Sequence, residues 1–143
     1  MKNILQLIEN EEKYYEFIRT LRTDSEVQQG FIYQGSITSE QQKAYMQKHG
    51  ENYYICLYNG EPAGFIGIVD EDMRLAVKKE YQKRGIASFM LTEIMKLNIN
   101  FVVRVKKDNI ASIKFFEKNG FKNNGIEVFN NEEVIIMKKS GKN

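Results

Sequence analysis

A short polar loop near the middle of the chain carries residue types that bind phosphate groups. The loop lies between a strand-like run and a helical run, and it contains Gln82, Lys83, Arg84, Gly85 and Ala87. A helix that starts here exposes backbone N–H groups that have no acceptor inside the helix, where the helix dipole also favours anions. For the spacing Gln-x-x-Gly-x-Ala alone, a glycine that merely packs is the simpler explanation. The two flanking cations favour a pyrophosphate site, because they add positive charge where the anion would lie.

Three consecutive acidic residues precede the strand that leads into this loop, and they could supply a general base. They are Asp70, Glu71 and Asp72, at a predicted turn, where carboxylates can equally be no more than solvated. Side chains alternate along a strand, so Glu71 shares one face with Val77 and Asp72 shares the other with Arg74. The sequence leaves open which face meets a substrate. Arg74, in an otherwise apolar strand, requires a carboxylate partner or a substrate anion, because an unpaired buried charge is costly.

Histidine and cysteine chemistry is limited to one residue of each type. His49 precedes Gly50 at a predicted helix end, where an imidazolium meets the helix dipole favourably, so capping is the simpler interpretation. Cys56 lies among apolar strand residues and is interpreted as a small core side chain. A single cysteine excludes an internal disulfide and a cysteine-based metal cluster. We therefore expect no metal site and a reducing compartment.

Length and composition limit the class of protein. The chain has 143 residues, of which 42% are hydrophobic, and this suits one domain with a sizeable core. A formal net charge of +2 gives no electrostatic sign of nucleic-acid binding. No apolar run approaches the ~18 residues needed to span a bilayer, and acidic residues interrupt the apolar N-terminal run before it could form a signal peptide. We expect a cytoplasmic protein that binds neither nucleic acid nor membrane.

Hydrophobic periodicity and turn signals predict the elements that position these residues. Asn10 is expected to cap the first helix, residues 38–41 form a capping box that opens the second, and Asn59-Gly60 is a strong hairpin signal. The predicted strands span residues 2–8, 52–58, 62–69, 73–77, 101–105, 121–129 and 134–137; the other predicted helices span 85–97 and 109–119; a long functional loop covers 22–37. The predicted fold is mixed α/β, with a central, mostly antiparallel sheet of about seven strands and helices on both faces.

Two motifs resemble those of the GNAT superfamily of acetyl-CoA-dependent N-acetyltransferases. Gln82, Gly85 and Ala87 match its signature Gln/Arg-x-x-Gly-x-Gly/Ala, which follows a strand. Residues 109–121 are similar to its later helix, Asn-x-x-Ala/Ser…Glu-Lys-x-Gly-Phe. Two such motifs at the family's separation indicate the family more strongly than either does alone.

The resemblance implies an enzyme with a single GNAT-like domain over residues 1–143. It covers residues 50–137, the expected acetyl-CoA-binding core, while residues 1–49 match only in element order and are expected to form acceptor-side helices and a loop. The implied reaction is direct attack of a primary amine of a small substrate on acetyl-CoA in a ternary complex. The proton of the substrate ammonium would pass to Glu71 or Asp72, directly or through water.

The family's acetyl-CoA site can be carried over onto this sequence. The resemblance implies that the pyrophosphate lies on backbone amides of the signature loop and that the pantetheine arm pairs with the preceding strand like an added strand. The thioester carbonyl would accept from the N–H of Val77. Many members have a tyrosine, thought to protonate the leaving thiolate, where this chain has Phe116. The implied contacts with acetyl-CoA are Leu75, Ala76, Val77, Gln82, Lys83, Arg84, Gly85, Ile86, Ala87, Ser88, Asn109, Ser112 and Phe116.

The acceptor amine is the least determined part of this interpretation. Residues 21–22, 37–38 and 69–74 have a faint likeness to bacterial members that acetylate amino groups of nucleotide-linked sugars. A peptide N-terminus, an antibiotic and a polyamine are alternatives, although a polyamine would favour a more acidic groove. A hypothesis from a different class is a CoA-binding sensor or interaction domain without turnover. The chain is expected to be a monomer or a homodimer.

Overall fold

The computed structural model describes residues 3–24 and 36–139. Seven strands and four α-helices form in this part of the chain. The strands are β1 (Leu5–Glu9), β2 (Tyr53–Tyr58), β3 (Glu61–Val69), β4 (Asp72–Val77), β5 (Val103–Lys106), β6 (Phe121–Phe129) and β7 (Glu132–Lys139). The helices are α1 (Tyr15–Thr23), α2 (Ser39–His49), α3 (Ile86–Met95) and α4 (Ile110–Lys118). Within these ranges, no helix is long and apolar enough to cross a membrane.

Strands β1 to β4 form one antiparallel sheet in the order β1-β2-β3-β4, as the turn signals predict. Asn59 and Gly60 join β2 to β3 with φ values of 51° and 85°. Positive φ at both central residues gives the turn a twist that matches the flanking strands. Asp70 and Glu71 make the same kind of turn between β3 and β4, at φ 52° and 64°. Asp72 therefore lies in β4 rather than in the predicted acidic turn.

The remaining strands form a second sheet in the order β5-β7-β6. The two sheets meet at the start of β4 through a parallel bridge between Asp72 and Val102. Its hydrogen bonds run from Met73 N to the Val102 carbonyl at 2.9 Å and from Val102 N to the Glu71 carbonyl at 2.8 Å. Seven strands agree with the prediction, and they divide into two sheets because β4 pairs with the second sheet only at this bridge in the described chain.

Helices cover both faces of the first sheet, as predicted. One face packs on α3 and brings Met73 into a core with Met90. The opposite face packs on α1 and α2, where Ala76 lies in a core with Ile18 and Met46. Because side chains alternate along a strand, the even-numbered residues of β4 face α1 and α2, and the odd-numbered ones face α3.

The capping box that starts α2 is confirmed. Thr38 Oγ1 accepts from Gln41 N at 3.0 Å, and Gln41 Oε1 accepts from Thr38 N at 2.9 Å. These reciprocal bonds satisfy two N–H groups that have no acceptor within the helix. At the other end Gly50 caps α2 with φ −57°, and a 3-10 turn continues to Asn52. Gly50 therefore ends the helix without the left-handed conformation that glycine often adopts there.

Asn10 does not cap the first helix, contrary to the prediction. Its side-chain amide donates to the Gly50 carbonyl at 3.3 Å and so joins the end of β1 to the end of α2. A 3-10 turn over Glu12–Tyr14 precedes α1, and Tyr14 stands at the N-cap without a capping side-chain bond. The side chain of Asn10 therefore makes a tertiary contact with a residue 40 positions away instead of capping the adjacent helix.

Several element boundaries differ from the predicted ones. Strand β1 starts at Leu5 rather than at residue 2, and α3 ends at Met95 rather than at residue 97. The predicted loop over 22–37 is wrong at its start, because α1 continues to Thr23. Most of that loop, residues 25–35, lies outside the described residues.

Candidate functional site

A cleft of about 1170 Å³ lies between β4 and β5, beyond the bridge that joins the two sheets. Its walls come from β4, the loop after it, the start of α3, β5 and α4. Every residue predicted to act in cofactor binding or catalysis lines this cleft, except Glu71 and Arg84. The lining residues among them are Asp72, Leu75, Ala76, Val77, Gln82, Lys83, Gly85, Ile86, Ala87, Ser88, Asn109, Ser112 and Phe116. The fold thus brings these separate segments to one place.

The N-terminus of α3 presents backbone donors to this cleft. Gly85 is the N-cap residue, in the left-handed conformation with φ 79°. The first hydrogen bond within the helix runs from Phe89 N to the Gly85 carbonyl at 3.0 Å, so the N–H groups of residues 86–88 have no acceptor in the helix. No acidic side chain lies in the first turn to compete with an external anion. A Cβ at Gly85 would meet no atom within 4 Å, so glycine is required here by φ and not by space.

Two side chains fasten the loop before α3 to the first sheet. Gln82 Nε2 donates to the Val77 carbonyl at 3.2 Å. Arg84 Nη1 donates to Tyr58 Oη at 3.0 Å, and the guanidinium lies 5.3 Å from the centre of the Tyr58 ring. Arg84 therefore turns towards β2, whereas Lys83 lines the cleft. Of the two cations expected beside a pyrophosphate, only Lys83 lines the cleft.

Strand β4 turns two backbone donors towards the cleft. Its N–H groups alternate between its two edges, and Lys78 N, just past its end, donates to β3 at 2.8 Å. Met73 N instead donates towards β5, at 2.9 Å. The odd-numbered N–H groups therefore face β5, so those of Leu75 and Val77 point into the gap beyond the bridge. The family resemblance assigned the thioester carbonyl to Val77 N–H alone, and Leu75 N–H is a second donor on the same edge.

An ion-pair network lies on the side of the cleft that faces α1 and α2. Asp72 accepts from Arg74 Nη2 at 2.7 Å through one carboxylate oxygen and from Arg104 Nη1 at 2.8 Å through the other. Glu127 accepts from Arg104 Nε at 3.0 Å. Hydrogen bonds to Glu127 and to Asp72 raise the pKa of Arg104, which stays cationic. Arg74 thus has the carboxylate partner that its place in an apolar strand required.

Two tyrosines extend this network towards the helices. Arg74 Nη1 donates to Tyr45 Oη at 3.2 Å, and the hydroxyls of Tyr45 and Tyr53 share a hydrogen bond of 2.7 Å. Burial raises the pKa of Tyr53, so its phenol stays neutral. The Arg22 guanidinium lies 4.8 Å from the centre of the Tyr45 ring, and Arg22 Nη1 donates to Gln42 at 3.1 Å. Residues of α1, α2 and β4 therefore form one polar cluster.

Besides Arg84, the residues Glu71, His49 and Cys56 lie outside the cleft lining. Glu71 is exposed in the β3–β4 turn, and His49 lies at the end of α2 with its ring centre 4.8 Å from that of Tyr45. Cys56 is fully buried, and burial raises the pKa of its thiol to about 11. The reactive thiolate is therefore scarce at neutral pH, which agrees with a structural role. Among the described residues, no group of three or more His, Cys, Asp or Glu side chains is placed to hold a metal ion.

Helix α4 supplies the far wall of the cleft. Asn109 caps it, since its side-chain oxygen accepts from Ser112 N at 3.3 Å, as predicted. Phe116 is only 6% exposed and packs edge-on against Phe115 and Phe121, with ring centres 5.0 and 5.5 Å apart. It offers the cleft a fixed apolar surface without a hydroxyl group.

The cleft lining also includes Arg22, Tyr53, Arg104 and Glu127, to which the sequence interpretation assigned no part in binding or catalysis. A signal for Arg104 exists, because it is the one charged residue in the apolar run 101–105 and needs a partner for the same reason as Arg74. Glu127 lies in a strand that is exposed along most of its length. Charged residues are common at such positions, so the sequence gives no signal that Glu127 belongs to a site. Arg22 and Tyr53 reach the cleft through the packing of α1 and β2, which no local pattern specifies.

Comparison with known proteins gives a family model and a set of similar folds. Residues 10–121 match the model of the acetyltransferase (GNAT) family. No curated protein matches the sequence. Among solved structures, spermidine N-acetyltransferase from Vibrio cholerae, in complex with CoA and spermine, is similar with a TM-score of 0.83 and 15% identity over 93% of each chain.

Two further solved structures share the fold. A GNAT-family acetyltransferase from Streptococcus pneumoniae has a TM-score of 0.77 and 21% identity, covering 95% of this chain and 98% of that one. The ribosomal-protein-S18-alanine N-acetyltransferase from Escherichia coli has a TM-score of 0.68 and 20% identity, covering 98% of both. At such identities the likeness concerns the fold and leaves the acceptor open.

Proposed function

Because the chain belongs to the GNAT family of acetyltransferases, we propose that it transfers the acetyl group of acetyl-CoA to a primary amine of a small substrate. The observation that carries this proposal is that the free edge of β4 and the N-terminus of α3 line one cleft. A thioester carbonyl needs a hydrogen-bond donor, and a pyrophosphate needs unpaired N–H groups. The cleft offers both, and its α1–α2 side is left for the amine.

Residues of this chain fit acetyl-CoA at three points. The N–H groups of residues 86–88, with Lys83 beside them, would hold the pyrophosphate. Leu75 and Val77 would pair with the pantetheine arm along β4, and Phe116 would pack against it from the far wall. Acetyl-CoA supplies an activated acetyl group, because a thiol with a pKa of about 8.5 leaves readily near neutral pH.

The chemical step requires an amine that has lost its proton. Its nitrogen attacks the thioester carbonyl, a C–N bond forms, and the C–S bond breaks to release the CoA thiolate. Negative charge that develops on the carbonyl oxygen would be stabilised by one of the N–H groups of Leu75 and Val77, and the other would pair with the pantetheine arm, because donors two residues apart on a strand edge lie about 6.8 Å from each other and cannot both reach one oxygen. The strand fixes both donors before the reaction begins, so no reorganisation is needed at that moment.

Asp72 is the proposed acceptor for the ammonium proton. It lines the cleft, whereas Glu71 is exposed in the turn and lies outside the lining. Arg74 and Arg104 hold the carboxylate from two sides and fix its position. Each carboxylate oxygen has a second lone pair, so a water molecule or the amine can donate to it as well.

Replacing Phe116 by tyrosine should change turnover little. We expect a rise of less than about threefold, or roughly 0.7 kcal/mol in the barrier, because the thiol needs no acid to leave near neutral pH. Replacing Phe116 by alanine should instead raise KM for acetyl-CoA, because the packing of a buried ring is lost. Steady-state kinetics of the two variants measures both effects.

Phe116→Leu is the control for Phe116→Ala. It keeps an apolar side chain of similar bulk and should retain most of the affinity for acetyl-CoA. A hundredfold gain in turnover for Phe116→Tyr would contradict this prediction. It would show that protonation of the leaving thiolate limits the rate.

Two measurements test the proposed function. Acetyl-CoA at ~100 times its Kd should stabilise the native protein by about 2.7 kcal/mol, seen as a rise in Tm. Free CoA, followed with a thiol reagent, should be released with at least one amine of a panel of amino-sugar nucleotides, peptides, polyamines and aminoglycosides. Cys56 is buried and adds little to that signal. No rise in Tm would overturn the proposal, and a rise without release of CoA would favour a CoA-binding sensor or interaction domain.

The panel also orders the candidate acceptors. An amino group of a nucleotide-linked sugar is the first acceptor to test, and the N-terminus of a peptide or protein is the alternative. Both are amines, so the same release of free CoA reports on each.

A further inference from the structure

Three arginines from three elements lie on one side of the cleft: Arg22 of α1, Arg74 of β4 and Arg104 of β5. These residues are called the arginine cluster. Tyr45 joins Arg22 to Arg74, because its ring lies beside the Arg22 guanidinium and its hydroxyl accepts from Arg74. Asp72 joins Arg74 to Arg104 by accepting from both. The three guanidinium groups therefore belong to one contiguous network.

This side of the cleft is richer in cations than in anions. In the described part of the chain, its lining holds the three arginines against two carboxylates, those of Asp72 and Glu127. The side chains of Arg74 and Arg104 are 35% and 34% exposed, so about a third of each stays accessible. A substrate that enters here meets guanidinium groups, and a second positive charge on that substrate would be repelled.

Arg74 and Arg104 keep donors that the described residues do not use. A guanidinium has five N–H donors in a planar fork. The hydrogen bonds of Arg104 use Nε and one N–H of Nη1, which leaves the second N–H of Nη1 and both of Nη2. Those of Arg74 use one N–H each of Nη1 and Nη2, which leaves a second N–H on each, while its Nε is buried without an acceptor among the described residues. Such a fork matches the paired oxygens of a carboxylate or a phosphate, which can accept two N–H bonds at once.

From this geometry we infer that the acceptor amine carries an anionic group, a carboxylate or a phosphate, which binds the arginine cluster through Arg74 and Arg104. The inference rests on the proposed function, since only an acetyl transfer has an acceptor. A nucleotide-linked amino sugar meets the requirement through its phosphates, and a polyamine does not. The Vibrio cholerae structure holds spermine, so the shared fold is expected to take different acceptors in the two proteins.

Matched pairs of amines test this inference. Glucosamine 6-phosphate against glucosamine probes a phosphate, L-phenylalanine against L-phenylalaninamide probes a carboxylate, and spermidine is the cationic comparison. We expect kcat/KM to be at least about tenfold higher for the anionic member of one pair. The amino group of L-phenylalaninamide is less basic than that of L-phenylalanine, so a larger fraction of it is deprotonated at a given pH. This difference alone would favour the neutral amide, which is the opposite of the expected result. The pair that shows the preference distinguishes a phosphate from a carboxylate.

The variant Arg104→Gln tests the contact itself. The preference ratio, kcat/KM for the anionic amine divided by that for its neutral partner, should fall by roughly tenfold to a hundredfold. Both amines meet the same Asp72, so an effect on proton transfer cancels from the ratio. Arg104→Lys should keep part of the preference. The control is Lys107→Gln, which removes one exposed cation that is paired with Glu133 at 2.8 Å and does not line the cleft.

The possible outcomes separate this inference from the proposed function. Release of CoA from no amine in the full panel would overturn both. Turnover in which neutral or cationic amines equal or exceed the anionic ones would overturn the inference alone. A preference ratio that stays at the wild-type value in both Arg104→Gln and Arg74→Gln would also overturn it, since the arginine cluster would then not be its cause.

Discussion

Replacing Gly85 by glutamate is expected to abolish binding of acetyl-CoA, with a loss in affinity of at least about a hundredfold, roughly 2.8 kcal/mol. Gly85 has φ 79°, and an L-residue in this conformation costs about 1–2 kcal/mol. The new carboxylate would also lie beside the N–H groups of residues 86–88, where we place the pyrophosphate. Strain at the loop and repulsion between like charges therefore act in the same direction. Calorimetric titration with acetyl-CoA measures the loss.

Gly60 provides a matched control for this variant. It has φ 85°, and a Cβ there would also meet no atom within 4 Å, but it lies in the β2–β3 turn outside the cleft lining. Gly60→Glu should therefore lose similar stability and keep the affinity for acetyl-CoA. Gln82→Ala should weaken binding modestly, because Gln82 fastens the loop through the Val77 carbonyl. Wild-type affinity in Gly85→Glu would show that the pyrophosphate binds elsewhere.

Replacing Asp72 by asparagine should lower turnover by ~10²–10⁴-fold, the usual contribution of a general base. The amide keeps the shape of the carboxylate but cannot take the ammonium proton. Affinity for acetyl-CoA should stay close to that of the wild type, because Asp72 faces α1 and α2 while the N–H groups of residues 86–88 lie at α3. Turnover and acetyl-CoA affinity are to be measured on the same preparation, with the pH profile of kcat/KM.

Glu71→Gln is the matched control, since it makes the same chemical change one residue earlier at an exposed position outside the cleft lining. It should keep turnover near the wild-type value. Asp72→Asn also removes a charge from the ion pairs with Arg74 and Arg104, so the Tm of the variant must be compared with that of the wild type. An active Asp72→Asn enzyme with an unaltered pH profile would contradict the assignment. Loss of turnover in Glu71→Gln alone would move the role to Glu71.

Several elements of the fold, among them the helix start at the proposed acetyl-CoA site, could be predicted because their causes are local. The capping box of Thr38 and Gln41 lies within four residues, and the hairpin signal at Asn59 and Gly60 lies within two. Gly85 stands where a helix starts and where a left-handed φ is needed. In each case the residue type and the conformation it favours occur in the same short segment.

The acceptor side could not be predicted in the same way, because its contacts join distant segments. Asp72 and Arg104 are 32 positions apart, and the side chain of Asn10 reaches a carbonyl 40 positions away. The bridge between Asp72 and Val102 decides where the two sheets separate. Such contacts follow from how whole sheets and helices pack. The cost of burying an unpaired charge predicts that Arg74 needs a partner, but it does not predict which residue the partner is.

The separation of β4 from β5 also bears on unwanted association between copies of the chain. Beyond the bridge, the N–H groups of Leu75 and Val77 make up a strand edge inside the molecule, and a strand edge is a template on which another chain can pair. Charged side chains on an edge oppose such pairing. Arg74 and Arg104 flank this edge on the face of α1 and α2, with the Asp72 carboxylate between them. The charges to which we assign the anionic acceptor would thereby also oppose insertion of a foreign strand into the gap.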